Sequence, residues 1–152
     1  MIDPLAVGDT QGEWLEIYNP TTYDINLRGW VLRDLGSDSH IIADDVLVPS
    51  LGYAVLGINI SYSANGGIVV DYQYSSFSLG NSGDEVILQA NGLEVDRVVF
   101  PGTFDVIGKS KELSRNRLDD VLNDTLTNWC TATHALPSGD FGTPGWVNDC
   151  AL

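Results

Sequence analysis

The segment that decides the fold spans residues 85–100 and reads EVILQANGLEVDRVVF. Its first half alternates polar and apolar residues, which places Val86 and Leu88 on one face of an extended strand. Asn91 and Gly92 follow, and this pair favours a type I′ turn because both central residues of that turn need a positive φ. Apolar residues return after the turn. The pattern therefore predicts a β-hairpin with one face buried.

Similar short strands are indicated ahead of this hairpin. Residues 13–18 alternate as well, with Leu15 and Ile17 on one face and Trp14 and Tyr18 on the other. Further short apolar runs, bounded by Gly, Asn and Pro, occur at residues 25–34, 40–42, 46–48, 53–56 and 68–70. Six to eight short strands joined by turns of this kind predict an all-β protein, specifically an antiparallel β-sandwich.

The composition fits a single globular domain and excludes several classes of partner. The chain has 152 residues, of which 43% are hydrophobic and 18% charged, enough for one buried core. Seven basic residues against 21 acidic ones give a net charge of −14. Nucleic acids and anionic membranes require a cationic surface, so neither is expected as a partner. No apolar run approaches about 20 residues, so no membrane insertion is expected.

Five motifs in a fixed order resemble the lamin tail domain family. They are GEWLEIYNP at 12–20, LRGWVL at 27–32, VPSLGYAVL at 48–56, LGNSGDEV at 79–86, and a closing pair, NWC at 128–130 with GTPG at 142–145. Each motif is weak alone, but together they cover nearly the whole chain. Residues 1–152 are therefore interpreted as one lamin-tail-like domain. The resemblance implies an immunoglobulin-like β-sandwich with a loop-rich C-terminal segment.

The resemblance also implies a kind of function. No catalytic residues come with the family, and its bacterial members resemble add-on modules of secreted or cell-surface proteins. We therefore expect a non-catalytic interaction or tethering module rather than an enzyme, with a protein or a surface glycan as its partner. The sequence agrees, because it contains no phosphate loop, nucleophile elbow or HExxH motif. His40 and His134 fall in predicted loop or edge positions, where a solvated or turn-capping role is expected.

The start of the chain departs from the family pattern. Members open with a strand of the type Ile-Asn-Glu-Val ahead of the Asp-Pro found here at Asp3 and Pro4. Met1 and Ile2 are too few to supply that strand, so we expect it to be missing before residue 1 and to leave an unpaired edge beside the early strands. That edge leaves three outcomes open: residues 1–11 fold back over it, a second copy pairs with it as a weak homodimer, or it stays solvated in a monomer and is guarded by the negative charge. Salt should strengthen the dimer by screening the charge of −14 per copy.

The two cysteines, Cys130 and Cys150, both lie in the loop-rich C-terminal segment. A disulfide between them would close a loop of about 20 residues and stabilise the fold by roughly 3 kcal/mol. Because disulfides persist in oxidising compartments, this pairing favours a secreted or cell-surface location. Two buried free thiols are the alternative. A zinc site that also uses His134 lacks an obvious fourth ligand.

Clustered acids suggest a cation site. Four aspartates crowd one stretch of predicted loops: Asp34, Asp38, Asp44 and Asp45. Oxygen-rich loops bind Ca²⁺, although the spacing here matches no EF-hand and solvated acids are the alternative. Ca²⁺ is the only cofactor that the sequence suggests.

Aromatic residues suggest a ligand surface. Trp14 is out of phase with Leu15 and Ile17, so Trp14 and Tyr18 either form an exposed surface or pack under the C-terminal segment. An exposed surface of this kind, combined with calcium, defines the alternative function, a calcium-assisted carbohydrate-binding module.

Overall fold

The computed structural model describes all 152 residues, Met1 to Leu152. Its strands are β1 (Trp14–Tyr18), β2 (Ile25–Asn26), β3 (Val31–Arg33), β4 (Ser39–Ile41), β5 (Leu47–Val48), β6 (Tyr53–Gly57), β7 (Tyr72–Gln73), β8 (Gly83–Ala90), β9 (Leu93–Pro101), β10 (Lys111–Leu113) and β11 (Trp129–Thr131). A single-turn α-helix covers Asp9–Gly12, and 3₁₀ turns cover Gly102–Phe104, Leu122–Asp124 and Leu126–Asn128. No helix has the length and apolar character needed to cross a membrane.

Two main sheets share one core. The larger sheet has the antiparallel order β4-β3-β8-β9, and the smaller has the order β1-β6-β7, with β7 parallel to β6. Buried residues of both sheets pack into a single cluster, among them Leu32 of β3, Phe100 of β9 and Leu56 of β6. Two short antiparallel pairs, β2-β5 and β10-β11, complete the structure. The predicted all-β, immunoglobulin-like sandwich is confirmed.

The predicted hairpin is formed by β8 and β9. Asn91 and Gly92 connect the strands with φ values of 52° and 77°, as a type I′ turn requires. Val86 packs on the core as expected. Ile87 is fully buried too, although alternation places it on the opposite face. The pattern therefore underestimated how much of β8 is covered.

One predicted strand is absent. Residues 68–70 have no strand conformation, and the neighbouring strand is β7, two residues further on. Ile68 is nevertheless buried, in a second apolar cluster with Met1, Trp14 and Val55. Its apolar character thus reflects packing under the smaller sheet and not main-chain pairing.

The C-terminal segment, residues 103–152, is rich in loops and packs against the start of the chain. The Asp140 carboxylate accepts hydrogen bonds from the amides of Leu5 and Ala6, at 3.1 and 3.2 Å. Further along, Glu16 of β1 accepts a hydrogen bond from the amide of Gly145. These contacts bring the last residues of the chain alongside β1.

Candidate functional site

The two cysteines form the predicted disulfide. Cys130 lies in β11 and bonds to Cys150, with their Cα atoms 5.7 Å apart. Neither sulfur is free to bind zinc, so the zinc alternative is wrong. The bond ties the end of the chain to the β10-β11 pair.

The structure does not bring together the four aspartates of the expected calcium site: Asp34, Asp38, Asp44 and Asp45. Asp34 accepts the Asp38 amide at 3.0 Å, and the Asp38 carboxylate accepts the hydroxyl of Ser78. Asp45 instead forms an exposed ion pair with Arg28 at 3.5 Å. No group of three or more acidic, His or Cys side chains is placed to hold a metal ion. The four residues therefore do not form one cluster, and calcium binding at these loops stays a prediction.

Trp14 does not form a ligand surface, because only 6% of it is exposed. Its ring lies close under Gly142, where a Cβ atom would stand 3.1 Å from the indole. Trp14 is thus packed under the C-terminal segment. Tyr18 is half-buried, and its ring packs against that of Tyr53 at a tilt of 44°, with centroids 5.0 Å apart. The two residues do not make a joint exposed platform.

His40 has a structural position. The amide of Ser75 donates to His40 Nδ1 at 3.2 Å, which leaves Nε2 to donate to the Tyr72 hydroxyl at 2.9 Å. Burial lowers the pKa of His40, so the ring is neutral near pH 7. It therefore links β4 to β7 and the residues after it.

Exposed apolar residues gather at the C-terminal segment instead. We call this surface the aromatic face, and it consists of Tyr62, Val69, His134, Leu136, Trp146 and Val147 around an open hollow of about 550 Å³. Trp146 is 76% exposed and Val69 is 71% exposed. Sequence patterning could not identify this face, because Trp146 sits in a Gly- and Pro-rich turn with no strand alternation.

A second cavity, also of about 550 Å³, lies inside the sandwich beside β1, and we call it the β1 slot. Apolar side chains from three directions line most of it: Leu15 and Ile17 of β1, Val86 and Val98 of the hairpin, and Leu113 of β10. The slot thus extends from the edge of the smaller sheet to the inner face of the larger one.

The outer edge of β1 is unpaired along the slot. The main-chain groups of Glu13 and Asn19, on either side of β1, form hydrogen bonds on the side of β6. Successive residues of an antiparallel strand direct these groups to alternate sides, so those of Leu15 and Ile17 also bond to β6. Glu16 and Tyr18 therefore direct their N–H and C=O groups outward, and no main-chain or side-chain group bonds to them.

Residues 1–3 fill one end of the slot. Met1 and Trp14 exchange two hydrogen bonds, at 2.9 and 3.2 Å, and the carbonyl of Asp3 accepts the amide of Gly108 at 2.7 Å. The chain therefore enters between β1 and the segment that leads into β10.

Two carboxyl groups face the slot without a cation. Burial raises the pKa of both Glu16 and Glu112 to about 7. Glu16 accepts the Gly145 amide at 2.5 Å, and Glu112 accepts the Thr143 hydroxyl at 2.7 Å. The two ion pairs of the structure, Arg28–Asp45 and Arg97–Glu94, lie elsewhere. Lys111 also lines the slot, but its ammonium group donates to Thr131.

Comparison with known protein families gives a match to the sandwich part of the chain. A family model described as Lamin Tail Domain matches residues 1–102. That range contains β1 to β9, and residues 103–152 lie beyond it. Comparison with curated proteins and with solved structures gives no match.

Proposed function

The chain belongs to the lamin tail domain family, and we propose that it is an interaction or tethering module of a secreted or cell-surface bacterial protein. The family consists of non-enzymatic, immunoglobulin-like domains. The Cys130–Cys150 disulfide supports an extracellular setting, because such bonds persist in oxidising compartments. The net charge of −14 supports a partner other than nucleic acid.

The observation that carries the proposal is the exposed aromatic face. Contiguous apolar patches on a soluble domain mark interaction sites, and Trp and Tyr are enriched among the residues that dominate binding energy. Trp146 and Tyr62 are 76% and 57% exposed at the same hollow. The turn that carries Trp146 is well fixed, since its amide bonds to Thr143 and that of Gly145 bonds to Glu16. The face is thus rigid and available to a protein partner.

The test compares Trp146→Ala with a matched control, Leu93→Ala. Leu93 is 73% exposed but lies in the hairpin, outside the aromatic face. Secreted and surface proteins of the parent bacterium are passed over the immobilised chain, and a retained protein is purified and titrated. We expect Trp146→Ala to weaken its binding about tenfold or more, and Leu93→Ala to leave it unchanged. Equal affinities for wild type and Trp146→Ala would contradict this assignment of the face.

Carbohydrate binding is the second candidate, favoured by the position of the Trp146 and Tyr62 rings at one hollow with the polar groups of His134 and Asp149. An aromatic platform of this kind suits the apolar faces of sugar rings. Because no acidic cluster is formed, binding should not need calcium. A glycan array probed with wild type and Trp146→Ala, each with calcium and with chelator, tests it. No glycan that distinguishes wild type from the variant would end this candidate.

A further inference from the structure

We propose that Asn91, in the turn of the β8-β9 hairpin, is a modification site at which the side-chain amide is lost spontaneously and isoaspartate and aspartate form. The only other reactant is water. The tip of the hairpin thereby gains a negative charge and, in the isoaspartate product, a longer main chain. Asn91 lies outside the aromatic face, so this inference does not rest on the proposed function.

The reaction has two steps. The main-chain nitrogen of Gly92 attacks the side-chain carbonyl carbon of Asn91, and the side-chain amide leaves as ammonia, so that a five-membered succinimide ring closes. Water then opens this ring at either carbonyl carbon. Opening at the side-chain carbonyl gives aspartate, and opening at the main-chain carbonyl gives isoaspartate, in which the chain continues through the side chain. The sum consumes water and releases ammonia, with no oxidation or reduction.

The surroundings of Asn91 leave both reacting groups free. Asn91 and Gly92 are exposed, and a Cβ atom added to Gly92 would meet no other atom within 4 Å. No main-chain hydrogen bond uses the Gly92 nitrogen outside the ladder of the strands, and no protein group bonds to the Asn91 side chain. Because glycine has no side chain, nothing hinders the approach of its nitrogen to the carbonyl carbon.

The turn geometry brings the reacting atoms together after one peptide rotation. Ring closure needs the Asn91 side chain and the Gly92 nitrogen on the same side of the Cα–C bond. For an L-residue this is a ψ of about −120°, the value at the first central residue of a type II′ turn. Types I′ and II′ share a φ of about 60° at that residue, and Asn91 has 52°. The two types differ mainly in the orientation of the peptide between the central residues.

Glycine permits this rotation while the strands stay in place. Passing from type I′ to type II′ takes the φ of Gly92 from its observed 77° to a negative value, and glycine adopts either sign with similar ease. Both types are hairpin turns whose twist matches the flanking strands. The reactive conformation is therefore reached without opening the β8-β9 ladder.

The second Asn-Gly pair of the chain, Asn65 and Gly66, is held against the same reaction. Asn65 is only 3% exposed. Its side-chain nitrogen donates to the carbonyls of Asn59 and Ile68, at 3.0 and 2.9 Å, and its Oδ1 accepts the Ile68 amide at 2.9 Å. These three bonds fix the side chain and keep water from it. The two pairs share a dipeptide sequence, so they form a matched comparison.

The isoaspartate product should disturb the tip of the hairpin and little else. Its additional main-chain carbon does not fit a two-residue turn, so the closing pair of Ala90 with Leu93 should loosen. The register shift between Leu88 and Gln89 already interrupts the ladder below this pair and should confine the change to residues 89–94. The aspartate product keeps the turn, because Asp-Gly also favours type I′.

The experiment incubates the folded chain at mildly alkaline pH, where the glycine nitrogen loses its proton more readily. Peptide mass spectrometry follows the two Asn-Gly pairs, and isoaspartate is measured by enzymatic methylation. We expect Asn91 to react about a hundredfold faster than Asn65, which must first lose three hydrogen bonds. Equal rates at the two pairs, or no reaction at Asn91, would overturn the proposal.

Two controls show whether the fold sets this difference. In denaturant both pairs are exposed, so they should react at similar rates; a hundredfold difference that persists there would assign the selectivity to the flanking sequence and overturn the proposal. Asn91→Gly keeps a dipeptide that suits a type I′ turn and should remove the isoaspartate signal. An undiminished signal in this folded variant would place the modification elsewhere.

A last measurement tests the effect on the hairpin. The two products are separated, and amide hydrogen exchange is compared with that of the unmodified chain. Exchange at Ala90 and Leu93 should speed up about tenfold or more in the isoaspartate product and stay near that of the unmodified chain in the aspartate product. Val86 and Leu88 should be unchanged in both. Unaltered exchange at the tip of the isoaspartate product would contradict the assigned consequence.

Discussion

The sandwich of residues 1–102 and the C-terminal segment of residues 103–152 are held by different interactions. All thirteen buried residues of the main apolar cluster lie between Ile2 and Phe100. In contrast, seven of the ten buried polar or charged residues lie beyond residue 102: Ser110, Glu112, Ser114, Asn123, Asp140, Thr143 and Asn148. The C-terminal segment also contains the disulfide. Apolar packing therefore dominates the first region, and hydrogen bonds with a covalent link dominate the second, so each should respond to a different perturbation.

The largest effect is expected in the sandwich. Leu56 is fully buried in the apolar cluster, and Leu56→Ala should lower the free energy of unfolding by about 4 kcal/mol through lost burial and a new cavity. Denaturant unfolding measures it. Leu47→Ala is the control, because Leu47 is 60% exposed and its truncation should cost less than about 0.5 kcal/mol. Similar costs for both would contradict a core centred on Leu56.

The next largest effect is expected on opening the disulfide. Replacing both Cys130 and Cys150 by serine should lower the free energy of unfolding by about 3 kcal/mol, because the unfolded chain loses a constraint. In this variant, hydrogen exchange should become faster mainly in residues 103–152 and change less in the hairpin. Uniform acceleration throughout the chain would mean that the two regions are not separable.

The side chain of Asn148 tests how far hydrogen bonds stabilise the C-terminal segment. Buried Asn148 donates to the carbonyl of Leu113 at 2.8 Å and accepts from the Thr143 hydroxyl. Asn148→Ala removes the side-chain donor to the Leu113 carbonyl, whereas the Thr143 hydroxyl still donates to Glu112, and the change should cost about 2 kcal/mol, measured by thermal and denaturant unfolding. The exposed Asn116→Ala is the control, expected within about 0.5 kcal/mol of wild type.

The free energy of unfolding should depend on pH, because buried carboxyl groups lie where the two regions meet. Burial raises the pKa values of Glu13, Glu16 and Glu112 to about 7. Between the usual pKa of a glutamate and pH 7, the native state therefore binds more protons than the unfolded state. The stabilisation from these three groups is fully present below the usual glutamate pKa and is lost as the pH rises through 7. Burial lowers the pKa of the Met1 amino group to about 5, which opposes the trend with a single group.

Each of the three carboxyl groups contributes about 2 kcal/mol between pH 5 and pH 7, and the amino group opposes them with about 2 kcal/mol. We therefore expect the free energy of unfolding to fall by about 4 kcal/mol over that range. Glu112→Gln keeps the hydrogen-bonding shape without the charge and should flatten the curve. An unchanged slope in that variant would exclude Glu112 as a source of the effect.

The smallest effect is expected from calcium. Ligand that binds only the native state must raise stability, and the structure gathers no acidic cluster. The Tm in millimolar Ca²⁺ should therefore equal that in chelator. A rise that disappears in Asp34→Asn would restore the acidic loop as a cation site.

Local sequence signals predicted those features that depend on neighbouring residues. The turn at Asn91 and Gly92 follows from the positive φ that such residues tolerate, and the alternation of residues 13–18 follows from the geometry of a strand. The pairing of Cys130 with Cys150 follows from there being only two cysteines. These features need no knowledge of the rest of the fold.

Long-range features escaped prediction for a physical reason. The alternation of residues 13–18 set Trp14 apart from Leu15 but left exposure and packing under the C-terminal segment both open. Only the structure shows that Gly142, far along the chain, covers the Trp14 ring. Asp34 and Asp45 are near in sequence, yet they belong to loops that bond to different partners. The β1 slot depends on the placement of β10 beside β1, about which no local pattern carries information.

Glu16 joins the two regions of the molecule, since its main chain belongs to β1 and its carboxylate accepts the amide of Gly145, the residue before Trp146. The orientation of the aromatic face is therefore fixed by the sandwich as well as by the C-terminal segment that carries Trp146.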